Sequence, residues 1–113
     1  IAELAAQCGA WPHGPMPDGF HAPFKTSIPT LLLSGERDPV TPPAFAAEVL
    51  PGLSDGRSLV VKGLGHAEAI NAGCMPRLVD QFIDKLQPKS LDAQCLDRLG
   101  PMPAFVTFNG AAP

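Results

Sequence analysis

TLLLSGERDPVTPPAFAAEVLPGLSDGRSLVVKGLGH, residues 30 to 66, holds two short apolar runs separated by one helix-length segment. The first, Thr30 to Ser34, is continuous rather than alternating, the pattern of a parallel strand buried on both faces. The second, Ser58 to Lys62, reads the same way. Between them Thr41-Pro42-Pro43 opens a helix, with Thr41 as N-cap and Pro42 at the first helical position, running through Phe45, Val49 and Leu50 to Pro51. Strand, turn, helix, loop and strand make one βαβ unit, whose strands must be parallel. The fold class is therefore α/β.

The same segment contains GLSDG, Gly52 to Gly56, the letters of a nucleophile elbow G-x-S-x-G. An elbow needs a strand before its serine and a helix after it, so that the hydroxyl stands above the carboxyl end of the sheet. Ser54 has the reverse order and sits at the opposite edge. It reads as part of a turn, Pro-Gly-Leu-Ser-Asp-Gly.

Outward from this unit, Ile1 to Gln7 reads as a short helical end, and Cys8 to Pro29 as an irregular lead-in broken by prolines at 12, 15, 17, 23 and 29. Beyond Gly73, Met75, Leu78, Val79, Phe82, Ile83 and Leu86 recur at helical spacing, with Arg77, Asp80, Asp84 and Lys85 between them. A second short helix is expected over roughly Ser90 to Leu99, and Phe105 to Phe108 as an extended edge segment. The division is thus 1–29, a lead-in from a core or lid, and 30–113, strand, helix, strand, two helices and a tail.

The chain has 113 residues, 45% hydrophobic and 17% charged, enough to bury a core. Its net charge of −3 with no basic run gives nucleic acid or an anionic membrane no electrostatic footprint. The apolar run around Leu31-Leu32-Leu33 is far too short to span a bilayer. The first residues show neither an initiator Met nor a signal-peptide pattern, and the chain reads as a piece of a longer protein.

The chemistry-bearing residues follow the two strands. SGERDPVTPP places Asp38 in the turn after the first, and KGLGHAEAI places His66 in the turn after the second, so both stand at the carboxyl edge where α/β proteins bind ligands. An imidazole oriented by a carboxylate is the base of acyl transfer: it takes a proton from a serine hydroxyl while the carboxylate stabilises the imidazolium. The α/β-hydrolase order is Ser, Asp or Glu, then His, and this chain holds the second and third. Glu36 competes for the acid role but lies nearer the strand end, and Glu68 reads as a solvated charge. His13 and His21 lack zinc-site spacing, so neither a metal nor a cofactor is expected.

The strings PTLLLSGERDPVTPPAFAAEVL, LVVKGLGHA and GCMPRLVDQFI, the later Cys95-Leu96 and the leading CGAWP resemble the C-terminal domain of tripeptidyl-aminopeptidase-like α/β-hydrolases. These are secreted bacterial serine exopeptidases related to proline iminopeptidases. The resemblance implies the C-terminal portion of that fold, Asp38 as triad acid and His66 as triad base. It assigns the nucleophilic serine and oxyanion-hole amides to an N-terminal catalytic core, the chain's expected partner alongside a peptide substrate. It also implies a bridge between Cys74 and Cys95, which would clamp the C-terminal tail and suit a secreted or periplasmic protein. Cys8 is then left over, either free and buried in an intracellular reading or paired with a cysteine in the N-terminal part of the longer protein. Two function classes stay open: the acid-and-base half of a serine peptidase or esterase, and a non-catalytic binding or structural module.

Overall fold

A computed structural model describes residues 2–101. Helix α1 (Ala2–Ala10) is followed by the proline-rich lead-in, strand β1 (Thr30–Gly35), helix α2 (Pro43–Val49), strand β2 (Gly56–Val61) and helix α3 (Met75–Lys85). Short 3₁₀ turns at Leu50–Gly52, Ala69–Asn71, Pro88–Ser90 and Gln94–Arg98 complete the order. The expected extended segment at Phe105 to Phe108 lies outside the described residues.

β1 and β2 pair in parallel from Thr30 opposite Gly56 to Gly35 opposite Val61. Successive residues of a strand point to opposite faces, so Leu31, Leu33, Leu59 and Val61 share one face and Leu32, Ser34, Ser58 and Val60 the other. The first face carries the core. Met75 and Leu78 of α3 are fully buried against it, joined by Ala69, Leu91 and Leu96. The second face is not closed: Leu32 is half-buried and Val60 is 42% exposed. The expectation of burial on both faces is therefore met on one, because among the described residues α2 is the helix set against the other and leaves its own Phe45 and Val49 exposed.

α3 buries the start of its apolar stripe and leaves the end uncovered, with Val79 and Phe82 partly buried and Ile83 and Leu86 exposed. An 11-residue helix is about 16 Å long. Two strands do not cover that length. The helix expected over Ser90 to Leu99 is instead a pair of 3₁₀ turns joined through extended Leu91. Asp92 explains the break: its carboxylate accepts the Gln94 N–H at 3.2 Å, a local bond that competes with helix. Leu91 and Leu96 both reach the core across it.

The Cys74–Cys95 disulfide joins the start of α3 to the second of these turns. Arg57 adds a tie from β2, its guanidinium donating to the carbonyls of Pro88 (3.2 Å) and Leu91 (2.5 Å).

The lead-in has no helix or strand between residues 11 and 29 apart from one bridge, Thr26 to Leu53. There the Thr26 N–H donates to the Gly52 carbonyl (2.9 Å) and the Ser54 N–H to the Thr26 carbonyl (3.0 Å). Any Cβ at Gly52 would collide with the Phe24 carbonyl oxygen. GLSDG thus seats the lead-in against the entry to β2.

Candidate active site

Asp38 and His66 are brought together by the two loops that leave the carboxyl ends of β1 and β2. The ladder continues past the strands: the Glu36 N–H donates to the Val61 carbonyl and the Arg37 N–H to the Leu64 carbonyl, both at 2.9 Å. Gly35 allows this approach, since a Cβ there would strike the carbonyl oxygens of Leu64 and Gly65. Glu36 closes the first side of the junction by accepting the Gly63 N–H at 2.9 Å. That leaves it engaged with the backbone and not with His66. Glu68, expected as a solvated charge, accepts the Gly65 N–H at 2.9 Å and braces the residue next to His66.

The Asp38 side chain is only 4% exposed, whereas that of His66 is 49% exposed. Asp38 Oδ1 accepts the backbone N–H groups of Val40 (2.8 Å) and Thr41 (2.9 Å), and Oδ2 accepts the Thr41 hydroxyl at 2.8 Å. His66 Nδ1 lies 2.9 Å from Oδ2 and 3.1 Å from Oδ1. Burial raises the carboxyl's pKa, but the hydrogen bonds from the Thr41 backbone, His66, the Val40 backbone and the Thr41 hydroxyl outweigh it and hold the group well below the usual carboxylate range. An ionised carboxylate only accepts, so the Nδ1 atom that faces it carries the proton. Nε2 then presents its lone pair to solvent, with no hydrogen bond to any described residue. The pair is arranged to take a proton at Nε2 and to stabilise the resulting cation.

The backbone beside His66 is strained. Ala67 has φ of 59°, a left-handed conformation uncommon for a residue with a Cβ, and it follows His66 directly. A shallow cavity of about 290 Å³ adjoins the imidazole, walled by Leu33, Ala69 and Ile70. Two larger depressions lie away from the pair, one of about 460 Å³ between β2 and Leu91–Asp97 and one of about 490 Å³ between Pro23–Lys25 and the end of α2.

Ser54 stands at the other end of β2, six residues of strand or about 20 Å from the His66 end. Its hydroxyl donates to the Thr26 carbonyl at 3.3 Å. His13 Nδ1 bonds the Trp11 carbonyl at 2.8 Å, and His21 packs edge-on to Phe20. Among the described residues no three His, Cys, Asp or Glu side chains converge as a metal site requires. Cys8 is exposed and unbridged, so the buried free thiol is not what this chain contains.

Thr41 is the site residue that sequence reasoning placed elsewhere. It was expected to cap α2, but the helix begins at Pro43 with Pro42 in the cap position, and the Thr41 hydroxyl turns to Asp38. The letters D-x-x-T carried the signal, since a carboxylate three residues before a threonine can collect both its N–H and its hydroxyl.

No curated protein and no solved structure matches the chain. Residues 1–95 match the family described as TAP-like protein, a match that takes in both loops of the Asp38–His66 pair and ends at Cys95. The chain belongs to this family of α/β-hydrolases.

Proposed function

We propose that this chain is the C-terminal part of a secreted or periplasmic serine hydrolase, most simply an exopeptidase that releases residues or short peptides from a free N-terminus. Asp38 is the acid and His66 the base of its catalytic triad. The observation that carries the reading is the buried Asp38 carboxylate bonded at 2.9 Å to Nδ1 of an imidazole whose other nitrogen is open. The serine belongs to an N-terminal catalytic core. His66 Nε2 removes the serine proton as Oγ adds to the scissile carbonyl carbon, and the imidazolium, stabilised by Asp38, returns that proton to the departing amine. Water then attacks the acyl-enzyme by the same route. The Cys74–Cys95 disulfide supports export, since such bridges persist in oxidising compartments. No helix among the described residues is long and apolar enough to cross a membrane.

In the longer polypeptide that carries the serine, His66→Ala should lower kcat by several orders of magnitude with KM little changed. Asp38→Asn should cost on the order of 10⁴, because the amide favours the wrong tautomer. Ser54→Ala should leave activity near wild type. A parallel assay with a free-N-terminal peptide amide and a simple ester separates peptidase from esterase. Full activity in both His66→Ala and Asp38→Asn would overturn the triad, and the chain would then stand as a binding or structural module.

A further inference from the structure

Thr41 touches both members of the pair. Its backbone N–H holds Asp38 Oδ1 at 2.9 Å, its hydroxyl holds Oδ2 at 2.8 Å, and the same oxygen lies 3.2 Å from His66 Nδ1. One residue thus grips both carboxylate oxygens and faces the ring.

We propose that Thr41 is a positioning residue whose hydroxyl locks the Asp38 carboxylate and the His66 imidazole into a single relative orientation. Oδ1 is held twice by backbone, but among the described residues Oδ2 has only the Thr41 hydroxyl besides His66. Without that hydroxyl the carboxylate keeps one anchored oxygen and gains freedom to swing the other away from the ring. The hydroxyl proton is committed to Oδ2, so the Thr41 oxygen turns its lone pairs toward Nδ1–H. The ring therefore meets three acceptor oxygens at one nitrogen, two from Asp38 and one from Thr41. Turning the ring over would put a carbon where Nδ1 stands and forfeit all three. The stiff χ1 of a β-branched side chain makes threonine suited to such a clamp.

The kinetic part of this inference rests on Asp38 and His66 being acid and base, and its test separates the two ideas. Thr41→Val removes the hydroxyl, conserves the shape and retains the N–H. In the longer active polypeptide it should lower kcat by about 10- to 100-fold, the worth of one hydrogen bond to a charged group, with KM unchanged. Thr41→Ser should restore most of the loss. Added to His66→Ala, Thr41→Val should cost nothing further, since the clamp acts only through the imidazole. On the present chain, long-range ¹H–¹⁵N NMR of the His66 ring should show one Nδ1–H tautomer in wild type and Thr41→Ser, and a mixture in Thr41→Val. Wild-type kcat in Thr41→Val alongside an unchanged ring spectrum would overturn the clamp, as would equal damage from Thr41→Ser. Harmless His66→Ala and Asp38→Asn would instead remove the triad reading, and the ring spectrum would still report on Thr41.

Discussion

Desolvation and hydrogen bonding pull the Asp38 carboxyl in opposite directions, and the hydrogen bonds win. The sign of the consequence follows from linkage. A carboxyl whose native pKa lies below its ordinary value of 3.8 contributes stability in full above that value and loses it as pH falls toward the native one. The amides of Val40 and Thr41, both bonded to Oδ1, report this directly. Their proton shifts should show no step centred on 3.8 and should follow the carboxyl only in stronger acid; a titration centred on the ordinary value would show that the carboxylate is not held. Asp38 and His66 were legible as candidates because each closely follows an apolar run and glycine marks both turns. Thr41 was not, because a threonine before two prolines is as good a helix cap as it is a carboxylate donor, and only the packed loops choose between those uses. The left-handed Ala67 was equally hidden, since alanine gives no hint of positive φ, and its strain of about 1–3 kcal/mol is sustained by the loop bonds around it.

At the scale of elements, the two strands were readable as short continuous apolar runs and α3 by its helical period. The turns at Pro88–Ser90 and Gln94–Arg98 were not, since a short apolar spacing serves helix and 3₁₀ turn alike and Asp92 tips the balance. The two turns are only three and five residues long, so their position depends on Leu91, Leu96, the Arg57 contacts and the disulfide. Cys74 and Cys95 are 21 residues apart, and closing a loop of that length is worth about 3 kcal/mol in the chain-entropy picture. Peptide mapping without reductant should find the two linked in material from an oxidising compartment. Cys95→Ser should release the segment after Pro88, read as faster amide exchange at Leu96 and Leu99, while the β1–β2 amides keep their protection. Unchanged exchange would mean that Leu91 and Leu96 alone hold the segment.

Across the whole molecule, apolar surface exceeds what this core absorbs. Thirteen large apolar side chains are exposed among the described residues, against eight hydrophobic ones buried. Scattered singly, such residues are ordinary, but Phe45, Val49 and Val60 gather over the uncovered face of the sheet. This is also why burial on both faces could not be read from the two apolar runs: a run records what a strand is built to meet, not which of its neighbours is present. Each of these side chains is already about half covered, so completing its burial is worth about 1 kcal/mol, a contribution that favours association. β1 has β2 on one side and no partner on the other among the described residues, so it also offers unpaired backbone groups. The isolated chain should therefore self-associate, its weight-average mass in sedimentation equilibrium rising with concentration. Phe45→Lys with Val60→Lys places charge on the open face and leaves Leu59, Val61, Met75 and Leu78 in their core. That double variant should shift the chain toward monomer while amide protection of β1 and β2 persists. A wild-type chain that stays monomeric and unfolds in one sharp transition would mean that the single covered face is sufficient for this fold. Association unaffected by the two lysines would move the contact to the exposed edge of β1.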